Sequence, residues 1–303
     1  MPLYFLRGDI TKLHTDAVVN AANSALAPGG GVCGAIFAAA GYDRLDRACR
    51  AIGGCETGQA VLTDGFALPA SYIIHTVGPV WHGGSHGEAQ LLKSCYRSSL
   101  LLAEQHGCAS IAFPLISAGI YGYPKREALA LAVEAICEFL DTHEMEVTLA
   151  LFEHGAALVD AALLSQVQPF IDRRCAGAPN AQQPPEGMRA DPGEAFEACL
   201  LRLMDERGLS AAAVCRRANL SRRQFAQLRE GSLAPGKPAV LALAVALRLS
   251  HEDTCRLLAS GGFALSQSCL TDVTAEYFIR SGRFDIFEIN EVLFALGETQ
   301  LGA

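Results

Sequence analysis

The sequence lacks the patterns that would mark a membrane-spanning, secreted or metal-binding protein. No apolar run approaches the roughly 20 residues that a membrane-spanning helix requires, and the N-terminal segment MPLYFLRGDITKL becomes polar too early for a signal peptide. None of the 11 cysteines forms a Cys-x-x-Cys pair, and none stands near a histidine at zinc-finger spacing. We therefore predict a cytoplasmic protein with reduced core cysteines and neither a metal nor another cofactor.

A strong excess of one charge is also missing. The formal charge of −8 on 303 residues argues against a protein-wide attraction to nucleic acid, although a local basic patch remains compatible with it. The length suits two domains of roughly 100–200 residues each. The segment CAGAPNAQQPPEGMRADPG is poor in large apolar residues and is typical of a flexible linker. We predict domains at 1–173 and 193–303, joined by a linker at 174–192.

Strand-like and helix-like segments alternate before the linker. Such alternation predicts an α/β domain with a mostly parallel sheet and helices on both faces. In these folds ligands bind beyond the carboxyl ends of the strands. The predicted strands are 3–6, 16–20, 60–66, 71–77, 110–115 and 146–152, and the predicted helices are 33–40, 42–52, 88–106, 124–142 and 156–172.

Strand signals almost disappear after the linker, which predicts a small all-α domain. Ser210, Ser221 and Thr271 are the predicted N-caps. The apolar and acidic tail at 277–298 predicts either two packed helices that complete the core or a dimer surface. The predicted helices are 194–207, 210–218, 221–229, 236–248, 251–260, 270–281 and 285–297.

A glycine-rich loop stands in VVNAANSALAPGGGVCGAIF, residues 18–37. Asn20 and Asn23 follow a buried strand, and three consecutive glycines precede a helix that starts near Cys33. Glycines let the backbone approach an anion closely, and a helix N-terminus presents free N–H groups. The Lys-Ser/Thr of a P-loop and the spacing of a dinucleotide fingerprint are missing. The loop indicates a diphosphate site, with a tight structural turn as the alternative.

A second loop of small residues lies in FPLISAGIYGYPKREAL, residues 113–129. Because it also joins an apolar strand to a helix, the two loops could hold a diphosphate from both sides. Asp9 ends the first strand, and its carboxylate suits an exocyclic amine. A turn-capping aspartate is the other interpretation of Asp9.

Five segments together resemble the MacroD-type macrodomains, over residues 1 to about 172. The resemblance implies a three-layer α/β/α fold that binds ADP-ribose or mono-ADP-ribosylated protein. It also implies an activity, since many such proteins hydrolyse the ester that joins ADP-ribose to acidic side chains, or deacetylate O-acetyl-ADP-ribose. The segments are GDIT (8–11), VVNAANS (18–24), GGGVCGAIFAAAG (29–41), HTVGPVW (75–81) and FPLISAGIYGYP (113–124).

The resemblance also implies roles for individual residues. Asp9 would accept a hydrogen bond from the adenine amine beside the Ile10 backbone, and Phe152 would stack on the adenine. Asn23 would hold the distal ribose and help to fix the attacking water. The remaining implied contacts are Ala22, Gly30, Gly31, Val32 and Cys33 in the first loop and Ser117, Ala118, Gly119, Ile120 and Tyr121 in the second.

Two positions depart from the family pattern. MacroD-type hydrolases usually have Asp in place of Cys33, where it serves the attacking water, and often His in place of Phe37. Three hypotheses follow. Cys33 or its backbone lines the site while the substrate's phosphate orients the water; the domain binds ADP-ribose without turnover; or Cys33 is a nucleophile activated by the helix N-terminus. We place Cys33 with Asn23 as the predicted catalytic residues.

The other motif residues have simpler interpretations. His75 lies inside a predicted strand, which favours a structural histidine over a catalytic base. Trp81 and His82 lie on a glycine-rich loop that either rims the distal ribose or only packs locally.

The helices at 200–250 resemble the Cro/C1-type helix-turn-helix family over about 60 residues. This resemblance implies DNA binding, and a protein-binding role is the alternative because residues 189–303 hold 13 Lys and Arg against 14 Asp and Glu. The whole chain would then be a hydrolase whose helical domain recruits the target, or a non-catalytic ADP-ribose-sensing DNA-binding regulator. The predicted nucleic-acid contacts are Arg216, Arg217, Arg222, Arg223 and Arg229.

Overall fold

The computed structural model describes residues 2–151, 161–176 and 194–302 of the chain. Residues 3–151 form one compact unit, and the described residues from 161 onward form another. Each unit buries an apolar core of its own. None of the helices in the described ranges combines the length and hydropathy that a bilayer crossing requires.

The first unit contains a six-stranded sheet. Its strand order is β1-β6-β5-β2-β4-β3, and every pair is parallel except the antiparallel pair of β3 with β4. The prediction of a mostly parallel mixed sheet is confirmed. In chain order the elements are β1 (Leu3–Arg7), a 3-10 helix (Ile10–Lys12), β2 (Ala17–Ala22), α1 (Gly31–Ala40), α2 (Tyr42–Ile52), β3 (Ala60–Asp64), β4 (Tyr72–Val77), α3 (Glu88–Gln105), β5 (Ser110–Pro114), α4 (Lys125–Leu140) and β6 (Glu146–Leu151).

Helices cover both faces of this sheet because its central strands are apolar on both sides. Val18 and Ile73 belong to the apolar cluster that contains α1 and α2. Their neighbours Val19 and Ile74 are equally buried but lie outside that cluster. Since successive side chains of a strand point to opposite faces, these neighbours meet the other layer. In that layer α3 packs against β3, β4 and α4.

The carboxyl ends of the parallel strands lie along one edge of the sheet. Asp9 follows β1, the segment 23–30 follows β2, the segment 78–87 follows β4, and the segment 115–124 follows β5. The fold therefore brings both predicted ligand loops and Asp9 to the same edge.

The second unit is helical throughout its described residues. The apolar residues of these helices form one continuous core. The helices are α5 (Ala161–Ala176), α6 (Phe196–Glu206), α7 (Ala211–Arg217), α8 (Arg222–Arg229), α9 (Lys237–Ala246), α10 (His251–Ser260), α11 (Leu270–Arg280) and α12 (Ile286–Leu296).

Helix α5, which the sequence suggests as the last helix of the first domain, packs in the second unit. The ring centroids of Phe170 and Tyr277 are 5.5 Å apart, and Arg174 forms an ion pair with the buried carboxylate of Glu276. The domain bounds 1–173, 174–192 and 193–303 stay a prediction.

A tight turn joins α7 to α8. Asn219 in this turn is buried and has a φ of 54°, a left-handed conformation that asparagine tolerates better than most residues. Ser210 accepts the N–H of Ala213, and Ser221 forms a capping box with Gln224, so both serines cap their helices as predicted.

The predicted cap at Thr271 is wrong. Helix α11 begins at Leu270 after Cys269, so Thr271 lies within the first turn, where its hydroxyl donates to Glu298 Oε2 at 3.2 Å. The apolar tail contributes Phe278, Ile289 and Leu293 among others to the core. The tail therefore forms two packed helices, which was one of its two predicted forms.

Candidate functional site

Asp9 caps the 3-10 helix that follows β1. Its Oδ1 accepts the backbone N–H of Thr11 at 3.0 Å and the Thr11 hydroxyl at 2.7 Å, and Lys12 Nζ lies 3.9 Å from Oδ2. These hydrogen bonds from Thr11, with a smaller contribution from Lys12, lower the pKa of Asp9. Asp9 therefore caps the turn, as one of its two interpretations predicted. Because the side chain is 37 % exposed, its second oxygen remains accessible to a ligand.

Asn23 shapes the first loop through its carboxamide. Its Nδ2 donates to Ala27 O at 2.7 Å, and its Oδ1 accepts the Ala27 N–H at 3.1 Å. An amide side chain has two N–H groups and two acceptor lone pairs. One of each is engaged here, so Asn23 retains one donor and one acceptor position for a ligand.

The glycines of the first loop lead directly into α1. Gly30 is the N-cap and no side chain caps the helix, so its first N–H groups have no such partner. Gly31 has a φ of 61°, and a Cβ on Gly34 would lie 2.6 Å from Gly29 O. The close packing of this backbone explains the glycine at position 34. The loop presents a helix N-terminus at the edge of the sheet, the kind of site that suits an anion.

Cys33 lies in the first turn of α1 and is 6 % exposed. Its Sγ is 3.7 Å from Asn20 Nδ2 and 4.0 Å from Ala27 O. Asn20 separates it from His75, since Asn20 Nδ2 is also 3.0 Å from His75 Nδ1. Among the described residues, the thiol forms no hydrogen bond with an imidazole or a carboxylate. This geometry offers Cys33 no direct general base.

His75 is completely buried inside the first unit. Its Nε2 lies 3.0 Å from Thr63 Oγ1 and 3.9 Å from Cys49 Sγ. Burial lowers the pKa of His75 to about 4, so the ring is neutral at pH 7. The structural interpretation of this histidine fits these contacts.

Asn20 was predicted both as the last residue of the strand 16–20 and as part of the segment that follows it. It lies within β2, pairs in register with His75, and is 1 % exposed. Its Oδ1 is buried without a hydrogen-bond partner in the described part of the chain. The signal that could have revealed it is a polar residue inside an otherwise apolar strand. Phe37, in the second departure from the family pattern, is fully buried in the core.

The second loop is held in an unusual backbone conformation. Ser117 is buried with a φ of 62°, and its Oγ has no hydrogen-bond partner among the described residues. The N–H of Tyr123 donates to Ser117 O at 3.0 Å, and the N–H of Gly122 donates to Gly119 O at 3.0 Å. Ile120 is 84 % exposed at the tip of this loop.

The two loops approach each other. A Cβ on Gly30 would lie 3.6 Å from Cδ1 of Ile120. A third segment borders them, because the N–H of Trp81 donates to Tyr121 O at 2.9 Å. The structure therefore brings most of the predicted ligand residues to one place. In this region Ile10 and Ala22 are buried, whereas Val32 and Tyr121 are half-buried.

Two groups of predicted residues are not among the described residues of the first unit. Phe152, the predicted adenine-stacking residue, lies outside the described residues. The five predicted nucleic-acid contacts lie on α7 and α8 of the second unit. Arg216, Arg222, Arg223 and Arg229 are exposed, and Arg217 is half-buried. Within the described ranges, no group of three or more His, Cys, Asp and Glu side chains could hold a metal ion.

Comparison with known proteins assigns the first unit to a family. The family model of the Macro domain matches residues 19–132. A macro domain-containing protein of Chlorobaculum tepidum is 59% identical over 138 residues, which are 46% of this chain and 80% of that protein. An O-acetyl-ADP-ribose deacetylase of Salmonella gallinarum is 49% identical over 170 residues, which are 54% of this chain and 94% of that protein.

A solved structure of the Oceanobacillus iheyensis macrodomain with ADP is 39% identical to this chain. The matched region covers 56% of this chain and 91% of the Oceanobacillus iheyensis chain, with a TM-score of 0.49. The two curated relatives are far above 30% identity, and this chain covers most of each of them. The chain belongs to the macrodomain family.

Proposed function

We propose that this protein binds ADP-ribose and hydrolyses an ester at its distal ribose. Water would attack the acyl carbon, the bond from that carbon to the ribose oxygen would break, and ADP-ribose and a free carboxylate would be released. The substrate would be a mono-ADP-ribosyl ester of an acidic side chain or O-acetyl-ADP-ribose. The observation that carries the proposal is the approach of Gly30 to Ile120 beside Asn23, in a chain 49% identical to a protein named O-acetyl-ADP-ribose deacetylase.

The geometry suggests how the ligand would be held. The N–H groups at the start of α1 and in the loop 117–121 would bind the diphosphate from its two sides, since backbone donors match phosphate oxygens without adding net charge. The accessible oxygen of Asp9 would accept from the adenine amine, and Phe152 would stack on the ring. The unused donor and acceptor of Asn23 would hold the distal ribose and the attacking water.

Turnover is the direct test of this proposal. We expect the purified protein to release acetate from O-acetyl-ADP-ribose, or ADP-ribose from a mono-ADP-ribosylated acidic protein. Asn23→Ala should lower kcat about tenfold or more, because the residue acts on the attacking water. It should weaken ADP-ribose binding less than it lowers kcat, because the diphosphate is held by backbone N–H groups that remain. Ser24→Ala, at the exposed neighbouring position, is the matched control. Tight ADP-ribose binding without turnover on either substrate would leave a non-catalytic sensor.

Replacement of Cys33 distinguishes the three hypotheses for this thiol. Because no imidazole or carboxylate of the described residues hydrogen-bonds to Cys33, we expect Cys33→Ala to keep kcat within about threefold, whereas loss of a true nucleophile costs several orders of magnitude. Release of acetate by the variant and the wild type at matched enzyme concentration measures this. A variant that is folded and binds ADP-ribose but has no turnover would revive the nucleophile hypothesis.

A DNA-binding role for the helical unit is the second candidate. Arg222 and Arg223 are exposed at the N-terminal end of α8, which follows the turn after α7, and this placement suits phosphate or base contacts. We propose that this unit recruits the modified target, and that in the alternative function it would make the protein an ADP-ribose-sensing DNA-binding regulator.

An electrophoretic shift of duplex DNA tests the second candidate. Binding should weaken steeply with salt, and the double variant Arg222→Ala/Arg223→Ala should abolish it. Arg256→Ala is the control, because Arg256 is an exposed arginine of the same unit that is paired with Glu252 on α10. A shift that is absent in the wild type, or equal in both variants, would favour a protein partner.

A further inference from the structure

The segment of residues 81–87, which we name the rim loop, lies between β4 and α3 and leads directly into α3. Its residues are Trp81, two exposed histidines, Ser85 and three glycines. Trp81 is the single tryptophan of the chain. A loop with this many glycines has little intrinsic order, because glycine loses more conformational freedom on folding than any other residue. Some other group must therefore hold it.

The carboxylate of Glu88 is that group. Its Oε1 accepts the N–H groups of His82 at 3.1 Å and Gly84 at 3.2 Å, and its Oε2 accepts the N–H of His86 at 2.6 Å. The side chain is 2 % exposed. Burial acts to raise the pKa of Glu88, but the backbone N–H groups of Glu88, His86, His82 and Gly84 outweigh it and bring the pKa to about 2. The group is an ionised acceptor enclosed by its own loop.

The rim loop in turn contacts the second ligand loop. The N–H of Trp81 donates to Tyr121 O at 2.9 Å, and the Trp81 ring lies against Tyr123 with the centroids 4.4 Å apart. Tyr123 donates its own N–H to Ser117 O. A continuous series of contacts therefore runs from the Glu88 carboxylate through Trp81 to both ends of the loop 117–121.

We propose that Glu88 is a positioning residue for ADP-ribose: it fixes the rim loop, and through Trp81 it holds Tyr121 and the second ligand loop in the binding conformation. This inference rests on the proposed function of the site. The Glu88 carboxylate interacts with its own N–H at the start of α3, as a helix cap would, but it also gathers three N–H groups from the loop that precedes the helix. A loop that is already ordered binds with less loss of conformational freedom.

Two substitutions disturb this series at different points. Glu88→Gln keeps the shape but replaces one acceptor oxygen by an NH₂ group, which must then face an N–H donor of the loop. Gly84→Ala leaves Glu88 intact and places a Cβ 2.9 Å from the Trp81 ring. Gly83→Ala is the comparison variant. Both glycines have a left-handed φ, 102° at Gly83 and 85° at Gly84, but a Cβ on Gly83 meets no atom within 4 Å. Because the N–H of Gly84 also donates to Glu88, the difference between these two alanine variants reports on the contacts of Gly84 with Trp81 and Glu88 together.

The experiment measures ADP-ribose binding by calorimetry and Trp81 fluorescence with acrylamide quenching, with thermal unfolding as the check on folding. We expect Glu88→Gln and Gly84→Ala to raise the Kd about tenfold, which corresponds to about 1.4 kcal/mol. Both should also make Trp81 more accessible to acrylamide and shrink its emission change on adding ADP-ribose. Gly83→Ala should show a clearly smaller effect than Gly84→Ala in each measurement.

Each outcome decides the question. If folded Glu88→Gln and Gly84→Ala proteins bind ADP-ribose as the wild type does, or if Trp81 is quenched equally in all of them, the positioning role is wrong. If Glu88→Gln does not fold, the comparison of Gly84→Ala with Gly83→Ala decides alone. If the wild type itself does not bind ADP-ribose, the proposed function fails and this inference falls with it, a result distinct from equal binding by all variants.

Discussion

Replacing Gly78 by alanine is expected to raise the Kd for ADP-ribose about tenfold to hundredfold, because a misfit of about 1–3 kcal/mol falls directly on the second predicted ligand loop. Gly78 is buried just after β4. A Cβ at this position would lie 2.1 Å from Ser117 Oγ and 2.6 Å from Ile116 Cγ2. Ser117 already holds a left-handed φ of 62°, and Ile116 is fully buried, so neither can move without shifting the loop. Calorimetry with ADP-ribose measures the effect.

A second substitution tests whether this contact is the cause. The double variant Gly78→Ala/Ser117→Gly removes the hydroxyl and the Cβ that the new methyl group meets, and glycine tolerates the left-handed conformation. It should therefore bind ADP-ribose more tightly than Gly78→Ala alone, although the contact with Ile116 remains. If Gly78→Ala binds as well as the wild type, or if the double variant binds worse than Gly78→Ala, the packing argument is wrong.

Acidification is expected to destabilise the first unit well above the range in which its carboxylates titrate. The pKa of His75 is about 4 in the folded protein against an ordinary value of 6.5, so between these values the unfolded chain binds a proton that the folded protein excludes. The contribution of His75 to stability is therefore complete above pH 6.5 and is lost as the pH falls towards 4. The slope is about 1.4 kcal/mol per pH unit, or about 2 kcal/mol between pH 7 and pH 5.

Urea unfolding followed by Trp81 fluorescence at pH 7, 6 and 5 measures this loss, since the single tryptophan lies in the first unit. His75→Gln should make the free energy of unfolding less dependent on pH in this window. The comparison with the wild type uses the slopes of this free energy against pH rather than its absolute values. The lowered pKa of Glu88 affects the free energy of unfolding only near and below its ordinary value of 4.5, which lies outside this pH window. A free energy of unfolding that stays constant from pH 7 to pH 5 would contradict the assignment to His75.

The elements of the fold were predictable because their signals are local. Apolar runs separated by helical periodicity indicated six strands, and all six are present close to the predicted ranges. The capping serines Ser210 and Ser221 were recognisable because each acts within three residues of its own position. Thr271 failed as a cap because its partner, Glu298, lies 27 residues away in the sequence. Such a partner leaves no trace in a local pattern.

The candidate site was predictable to the same extent. The glycine loop, the loop of small residues and Asp9 each stand out in the sequence, and the parallel sheet brings them to one edge. The contacts of Asn20, Gly78 and Glu88 were not recognised. Those of Asn20 and Gly78 are with residues remote in sequence, and those of Glu88 depend on how the preceding loop folds back on it. Asn20 meets His75 only because β2 pairs with β4, and Gly78 meets Ser117 only because the ends of two strands adjoin.

The sequence by itself determined the alternation of strands and helices, the positions of the two loops predicted to bind the ligand, and the family. The first two depend on short-range patterns of apolar periodicity, glycine and capping residues, and the family depends on the resemblance of five short motifs. Only the tertiary structure decided that Cys33 faces an amide rather than a base, that Glu88 holds the rim loop, and that α5 packs among the later helices. These are contacts between residues up to about a hundred positions apart, and the energies of packing and of buried hydrogen bonds that choose them exist only when the chain is folded.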